Sequence, residues 1–232
     1  QRELSSLRSL CKYLLREGLL LCNPALGIRA PKTERMLPAT FEADSLCALL
    51  DQAPEDTPLV LRDKAMIELF YSSGLRLAEL VSVNLNDIDL ADASLEVLGK
   101  GARSRRVPVG AQALAAVQRW AQIRGQIAHP SETALFVSQR GRRIHPRTVE
   151  QRLRQWAKAQ GAGSHLHPHL LRHSFASHLL ESSGDLRAVQ ELLGHDNIST
   201  TQIYTHLDFQ HLAKVYDQAH PRARRKGLKA ED

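Results

Sequence analysis

No apolar run in this chain approaches the roughly 20 residues that a helix needs to cross a bilayer. Leu19-Leu20-Leu21-Cys22, for example, is far shorter. The chain opens on a polar helical pattern without the features of a signal peptide, so a cytoplasmic protein is the default expectation. Cysteine is scarce too. Cys11, Cys22 and Cys47 form no close C-x-x-C pair and have no metal-ligand spacing, and they read as small buried or semi-exposed thiols kept reduced. Acidic residues are in deficit: 25 Asp and Glu against 31 Lys and Arg leave a formal charge of +6, which favours a polyanionic partner. The 232 residues, 43% of them hydrophobic, suffice for one large domain with a sizeable core, or one domain with an appendage.

What the chain does have is concentrated in residues 167–206. There His169, Arg172, His195 and Tyr204 supply a base, two anion-binding groups and a phenol able to act as a nucleophile. A free tyrosine has a pKa of about 10, so only about a thousandth of it is phenolate near neutral pH. It needs a neighbouring base or strong cations. If the group attacked is a phosphodiester, preorganised donors must also meet the charge spreading over its non-bridging oxygens, and the arginine fork suits that task. Pro168 belongs in the first turn of a helix whose apolar face is Leu170, Leu171, Phe175, Leu179 and Leu180. His169 and Arg172, three apart, then share a face. Asp185 is the expected cap of a second helix with Leu186, Val189, Leu192 and Leu193 inward and Gly194 as its stop, so His195 follows in the loop. Ser199 with Gln202 makes a capping box for a third short helix carrying Tyr204.

The run H-x-x-R-H at 169–173, L-L-G-H at 192–195 and a tyrosine nine residues after His195 resemble the catalytic half of the tyrosine site-specific recombinases. From residue 1 to about 226 the chain is similar to the bacterial Xer type of that family. The stretch Gly74-Leu75-Arg76-Leu77-Ala78-Glu79-Leu80 matches the motif of the family's first catalytic arginine, with Glu79 placed to orient Arg76 from the next turn. Lys100, flanked by Gly99 and Gly101, falls where the family has a lysine on a hairpin that enters the minor groove. The resemblance implies that Tyr204 attacks the scissile phosphate to leave a 3′ phosphotyrosine and a free 5′ hydroxyl. Arg76 and Arg172 would hold the non-bridging oxygens, His195 would be a further donor, His169 would accept the phenol proton and Lys100 would protonate the leaving oxygen. No cofactor is implied. The implied partners are double-stranded DNA carrying a specific recombination site, a second Xer-type recombinase in a heterotetramer, and a septal DNA translocase as activator.

The implied fold is mainly α with a small antiparallel β-sheet (α+β). Residues 1–28 would be the last helix of a truncated core-binding domain, with an amphipathic helix to about residue 22. Residues 29–40 would be a basic linker, and 41–232 the catalytic domain with a partner-docking terminal helix and a mobile basic tail over 222–229. Short alternating runs at 88–90, 95–98 and 106–109 predict the sheet, with Arg103, Arg105 and Arg106 tracking phosphates. A helix from Ala111 to about Arg124 buries Leu114, Val117 and Trp120. Another starts at Pro146 with Val149, Leu153 and Trp156 buried and Arg147, Arg152, Arg154 and Lys158 outward. Two alternatives stay open: a phage or mobile-element integrase of the same family, and a metal-dependent nuclease built on His165, His167, His169, His173 and His178. A DNA-binding protein without chemistry leaves the joint spacing of Arg76, Lys100, His169, Arg172, His195 and Tyr204 unexplained.

Overall fold

The structure is a computed structural model of the chain, and it describes residues 2–28, 41–52, 57–99, 104–161, 166–194 and 206–223. It divides into two units, residues 1–39 and 40–232. The first is built on α1 (Arg2–Arg16). This helix stops six residues short of the expected end because Gly18 turns left-handed at φ 72°, letting Leu19 N–H donate back to Leu14 O at 2.9 Å. Arg8 then reaches Ala25 O at 3.1 Å and ties down the following segment. Cys11 and Ala25 are buried, whereas Leu7, Leu10 and Tyr13 are exposed. The expected linker at 29–40 lies outside the described residues.

The second unit centres on α3 (Pro58–Ser73), which starts with proline in its first turn and is buried nearly all round. Around it stand α2 (Ala43–Asp51), α4 (Leu77–Ser82), α5 (Ala111–Arg124), α6 (Pro146–Ala159), α7 (Pro168–Ser183), α8 (Leu186–Leu193) and α9 (His206–Ala219). The sheet is antiparallel in the order β1 (Ile88–Asp89), β2 (Ser94–Leu98) and β3 (Ser104–Pro108), with Leu95 opposite Val107 and Val97 opposite Arg105. Phe70, Tyr71, Trp120, Phe136 and Phe175 fill the core. The Trp120 indole N–H is satisfied by Leu135 O at 2.9 Å.

Polar groups inside α3 are paired across elements. Arg62 bonds Asp63 and Val137 O, while the other Asp63 oxygen accepts from Arg152 at 2.5 Å. Arg152 therefore turns toward α3, although its position on α6 is otherwise part of the outward basic face. Val149, Leu153 and Trp156 are buried as expected. Leu114 is only partly buried, because Ala113, Ala116, Val117 and Trp120 form the inner face of α5. His178 is buried with its Nε2 against Phe41 O and its Nδ1 against the Tyr71 hydroxyl, both at 2.8 Å. A carbonyl only accepts, so Nε2 donates to Phe41 O.

α9 lies on its own domain. Leu212 and Tyr216 are buried, and the Tyr216 and Ser72 hydroxyls are 2.8 Å apart. Beyond it, His220 stacks on Tyr216 with ring centroids 4.9 Å apart, and burial lowers its pKa to about 3, keeping the ring neutral. Arg222, expected at the start of a mobile tail, is instead fully buried and paired with Glu68 and Asp51. Residues 224–229 of that tail lie outside the described residues.

Candidate active site

The site is assembled at the C-terminal end of α8. The Asp185 carboxylate caps the helix, accepting from Ala188 N–H at 2.9 Å. Gly194 ends it in the left-handed conformation at φ 63°, its N–H returning to Gln190 O and Glu191 O. Val189, Leu192 and Leu193 face the core as expected, but Leu186 is 54% exposed. It stands in the first turn, beyond the edge of the core that the later residues reach.

The last carbonyls of a helix lack intrahelical donors and carry the negative end of its dipole. Here three consecutive carbonyls are each taken by a different arginine. Arg105 Nε donates to Leu192 O at 3.2 Å, Arg172 Nη2 to Leu193 O at 2.7 Å and Arg76 Nη2 to Gly194 O at 2.9 Å. Arg172 projects from the second turn of α7, a helix capped by His167, whose Nδ1 accepts from Leu170 N–H. Its Nη1 also donates to Gly74 O at 2.6 Å. Gly74 is left-handed at φ 58°, and a Cβ there would lie 2.4 Å from the Phe175 ring. Only glycine lets the chain turn here while α7 packs this close, and the turn delivers Arg76 to the start of α4.

Glu79 joins two of the arginines. Its Oε2 accepts from Arg76 N and its Oε1 from Arg76 Nη1, both at 2.8 Å. The Arg105 fork spans the same carboxylate, at 2.7 Å to Oε1 and 2.9 Å to Oε2. Burial alone would raise the Glu79 carboxyl, but these charged donors hold it down at about 2. Arg172 is lowered to about 10, first by burial and then by the charges of Arg76 and Arg105, and it stays protonated at neutral pH.

Of the residues singled out from sequence, Arg76 and Arg172 therefore converge. His169 sits on α7 one turn before Arg172 and is exposed. His195 directly follows Gly194, Lys100 lies between β2 and β3, and Tyr204 lies two residues before α9; all three are outside the described residues, as is the capping box at Ser199 and Gln202. Sequence reasoning assigned Arg105 to phosphates, yet it is 8% exposed and bound to Glu79. The missed signal was the period of two in β3, which puts Arg105 on the buried face of Val107. Arg106, on the other face, bonds Ser94 and Asp92 and lies 4.8 Å over the Phe209 ring. Among the described residues no three His, Cys, Asp or Glu side chains group to hold a metal. His167 is spent on a helix cap and His178 on core hydrogen bonds; His165 is outside the described residues.

Residues 39–211 match the model of the Phage integrase family. The chain is 58% identical over 228 residues to "Tyrosine recombinase XerC" of Alcanivorax borkumensis, covering 97% of this chain and 74% of that protein. The protein of the same name from Azotobacter vinelandii is 60% identical over 225 residues, covering 97% and 75%. Among solved structures, that of XerA recombinase is similar at 28% identity and a TM-score of 0.63, covering 95% of this chain and 76% of that one. The integrase of mycobacterium phage Brujita is similar at 27% identity and a TM-score of 0.65, covering 96% and 72%.

Proposed function

Because the chain belongs to the phage integrase family, we propose that it is a site-specific recombinase that cuts and rejoins double-stranded DNA through a 3′-phosphotyrosine. The observation that carries this is the convergence of Arg76 and Arg172 on the end of α8. Each guanidinium gives two N–H groups to the protein among the described contacts and has three more for phosphate oxygens. Two fixed forks meet the non-bridging oxygens of a scissile phosphate, and their charge stabilises the transition state. Tyr204 attacks the phosphorus and the 5′ oxygen leaves. His169 takes the phenol proton, Lys100 protonates the leaving oxygen and His195 supplies a further donor. The phosphotyrosyl ester keeps the energy of the phosphodiester, so a partner strand's 5′ hydroxyl reverses the step without ATP.

The XerC relatives point to the biological task. With a XerD-type recombinase in a heterotetramer, activated by a septal DNA translocase, the enzyme resolves chromosome dimers during segregation and cell division, working in the cytoplasm. No helix among the described residues is long and apolar enough to cross a membrane. The alternative job of a phage integrase rests on a likeness of 27% identity, against 58–60% for the XerC relatives. Docking of the terminal helix on a neighbouring protomer, which the family resemblance implies, would have to release Leu212 and Tyr216 from their own core. Exposing each costs about 1.5–3 kcal/mol, which the partner's cleft must return.

The test is a nicked duplex carrying the recombination site, so that the short fragment released by cleavage diffuses away and the covalent adduct accumulates. Incubated in EDTA with a XerD-type partner, the protein is expected to give a protein–DNA band on a denaturing gel that Tyr204→Phe lacks. An adduct that persists in Tyr204→Phe, or appears only with added metal, refutes the mechanism.

A further inference from the structure

Among the described residues, Arg105 is the arginine at the α8 terminus to which the mechanism gives no task, and its burial keeps it from DNA. We infer that Arg105 is a positioning residue: through Glu79 it holds the Arg76 guanidinium in its phosphate-binding pose and locks that pose to the end of α8. The inference rests on the recombinase reading and names a part that the reading leaves out.

The geometry carries it. The Arg76 side chain is 42% exposed and sits at the boundary between a turn and a short helix, so little packing limits its rotamers. What limits them is Glu79, which is 4% exposed and takes both the Arg76 backbone N–H and Nη1. A carboxylate can rotate about its terminal torsion at small cost. The Arg105 fork spans both oxygens and fixes that rotation, so the lone pairs left for Arg76 point in one direction. Arg105 Nε simultaneously fastens the strand to Leu192 O, two residues before the carbonyl that receives Arg76 Nη2. The two anchors of Arg76, a side-chain carboxylate and a main-chain carbonyl, are thereby set by one residue. Gly194 accommodates this, since a Cβ there would lie 3.1 Å from Arg105 Cδ and Nε. A lysine at position 105 keeps the charge and most of the stem but cannot span two oxygens.

The experiment follows single-turnover adduct formation on the nicked duplex over a range of protein concentrations, with melting measured in parallel. The proteins are wild type, Arg105→Lys, Arg105→Met, Glu79→Gln and the Arg105→Lys/Glu79→Gln double variant. Misplacing a reacting group by about 1 Å costs on the order of 100-fold, so Arg105→Lys is expected to lower the saturating rate about 10- to 100-fold. Its half-saturating concentration should stay within about threefold. The double variant should be no more than about twofold slower than the slower single variant, because both remove the same restraint. If Arg105→Met does not fold, Arg105→Lys with its retained charge carries the comparison. A saturating rate within about twofold of wild type for Arg105→Lys, with only its melting lowered, makes the residue purely structural and overturns the inference. Multiplying losses in the double variant overturn it as well. No adduct from wild type removes the recombinase reading and this inference with it, whereas an adduct indifferent to Arg105 removes the inference alone.

Discussion

Arg222 offers the sharpest test of how the C-terminal segment is held. Its guanidinium, 2% exposed, donates from Nε to Glu68 Oε2 at 3.1 Å, from Nη1 to Asp51 Oδ1 at 2.8 Å, and from Nη2 to Glu68 Oε1. Glu68 lies in the middle of α3 and is 1% exposed. Burial pushes its carboxyl above the usual range, and the Arg222 charge is the main influence opposing that rise. Replacing Arg222 with Met keeps the apolar stem and leaves the carboxylate buried without its partner, a change that costs about 3–5 kcal/mol. A domain of ordinary stability has about 5–15 kcal/mol in total, so the variant should unfold at markedly lower urea. Removing both charges, in Glu68→Met/Arg222→Met, should recover at least half of the loss, because a buried pair replaced by apolar groups is often close to neutral. The assay is equilibrium urea unfolding followed by Trp120 and Trp156 fluorescence and by far-ultraviolet circular dichroism. The sign with pH is fixed too. An unpaired Glu68 is better tolerated protonated, so the deficit of Arg222→Met should shrink as pH falls from 7 to 5. A loss below about 1 kcal/mol, or a double variant no better than the single, would refute the reasoning.

Two further predictions concern the site itself. Arg172→Ala should still bind the duplex by mobility shift while forming adduct on the order of 100- to 1,000-fold more slowly, since it removes one preorganised donor to a developing anion; wild-type cleavage would exclude its assigned role. Glu79, held at about 2 against an ordinary 4.5, contributes stability that is fully present above pH 4.5 and is lost as pH falls toward 2, an increment of about 3 kcal/mol. Acid titration of unfolding should show this increment in the wild type and lack it in Glu79→Gln.

Local signals made the scaffold of the site legible in advance. Pro168, Asp185 and Gly194 act through local chemistry at helix ends, so α7 begins, and α8 begins and ends, where the sequence places them, and Glu79 reaches Arg76 from the next turn. Residues whose partners lie far along the chain were harder. Arg222 is a basic residue after a proline, and nothing near it announces that Glu68 waits 154 positions upstream. Arg152 likewise shares the polar pattern of its helix, and only the tertiary fold brings Asp63 to it. Arg105 was legible from strand alternation, but the general association of arginine with phosphate outweighed that pattern. Leu186 erred in the other direction, because hydrophobic periodicity gives a face and not the depth to which that face is covered.

The cluster at the α8 terminus gathers three cations around a single carboxylate, leaving a formal excess of two positive charges. Like charges this close repel, and the fall of Arg172 to about 10 registers both that repulsion and the loss of water. Three carbonyls at the negative end of a helix dipole offset part of it, and they do so by direction as well as by charge. Each is fixed in the main chain, so it pins one edge of an arginine without competing as an ion for the substrate. Carboxylates in their place would neutralise the site and hold each guanidinium more tightly, but would cancel the field that a phosphodiester is meant to meet. An anion entering the site completes the charge balance, and its transition state, with more charge on the same oxygens, completes it better. The use of main-chain carbonyls for three of the four side-chain anchors of Arg76 and Arg172 is therefore what lets the fold preorganise these arginines and still leave their charge for the reaction.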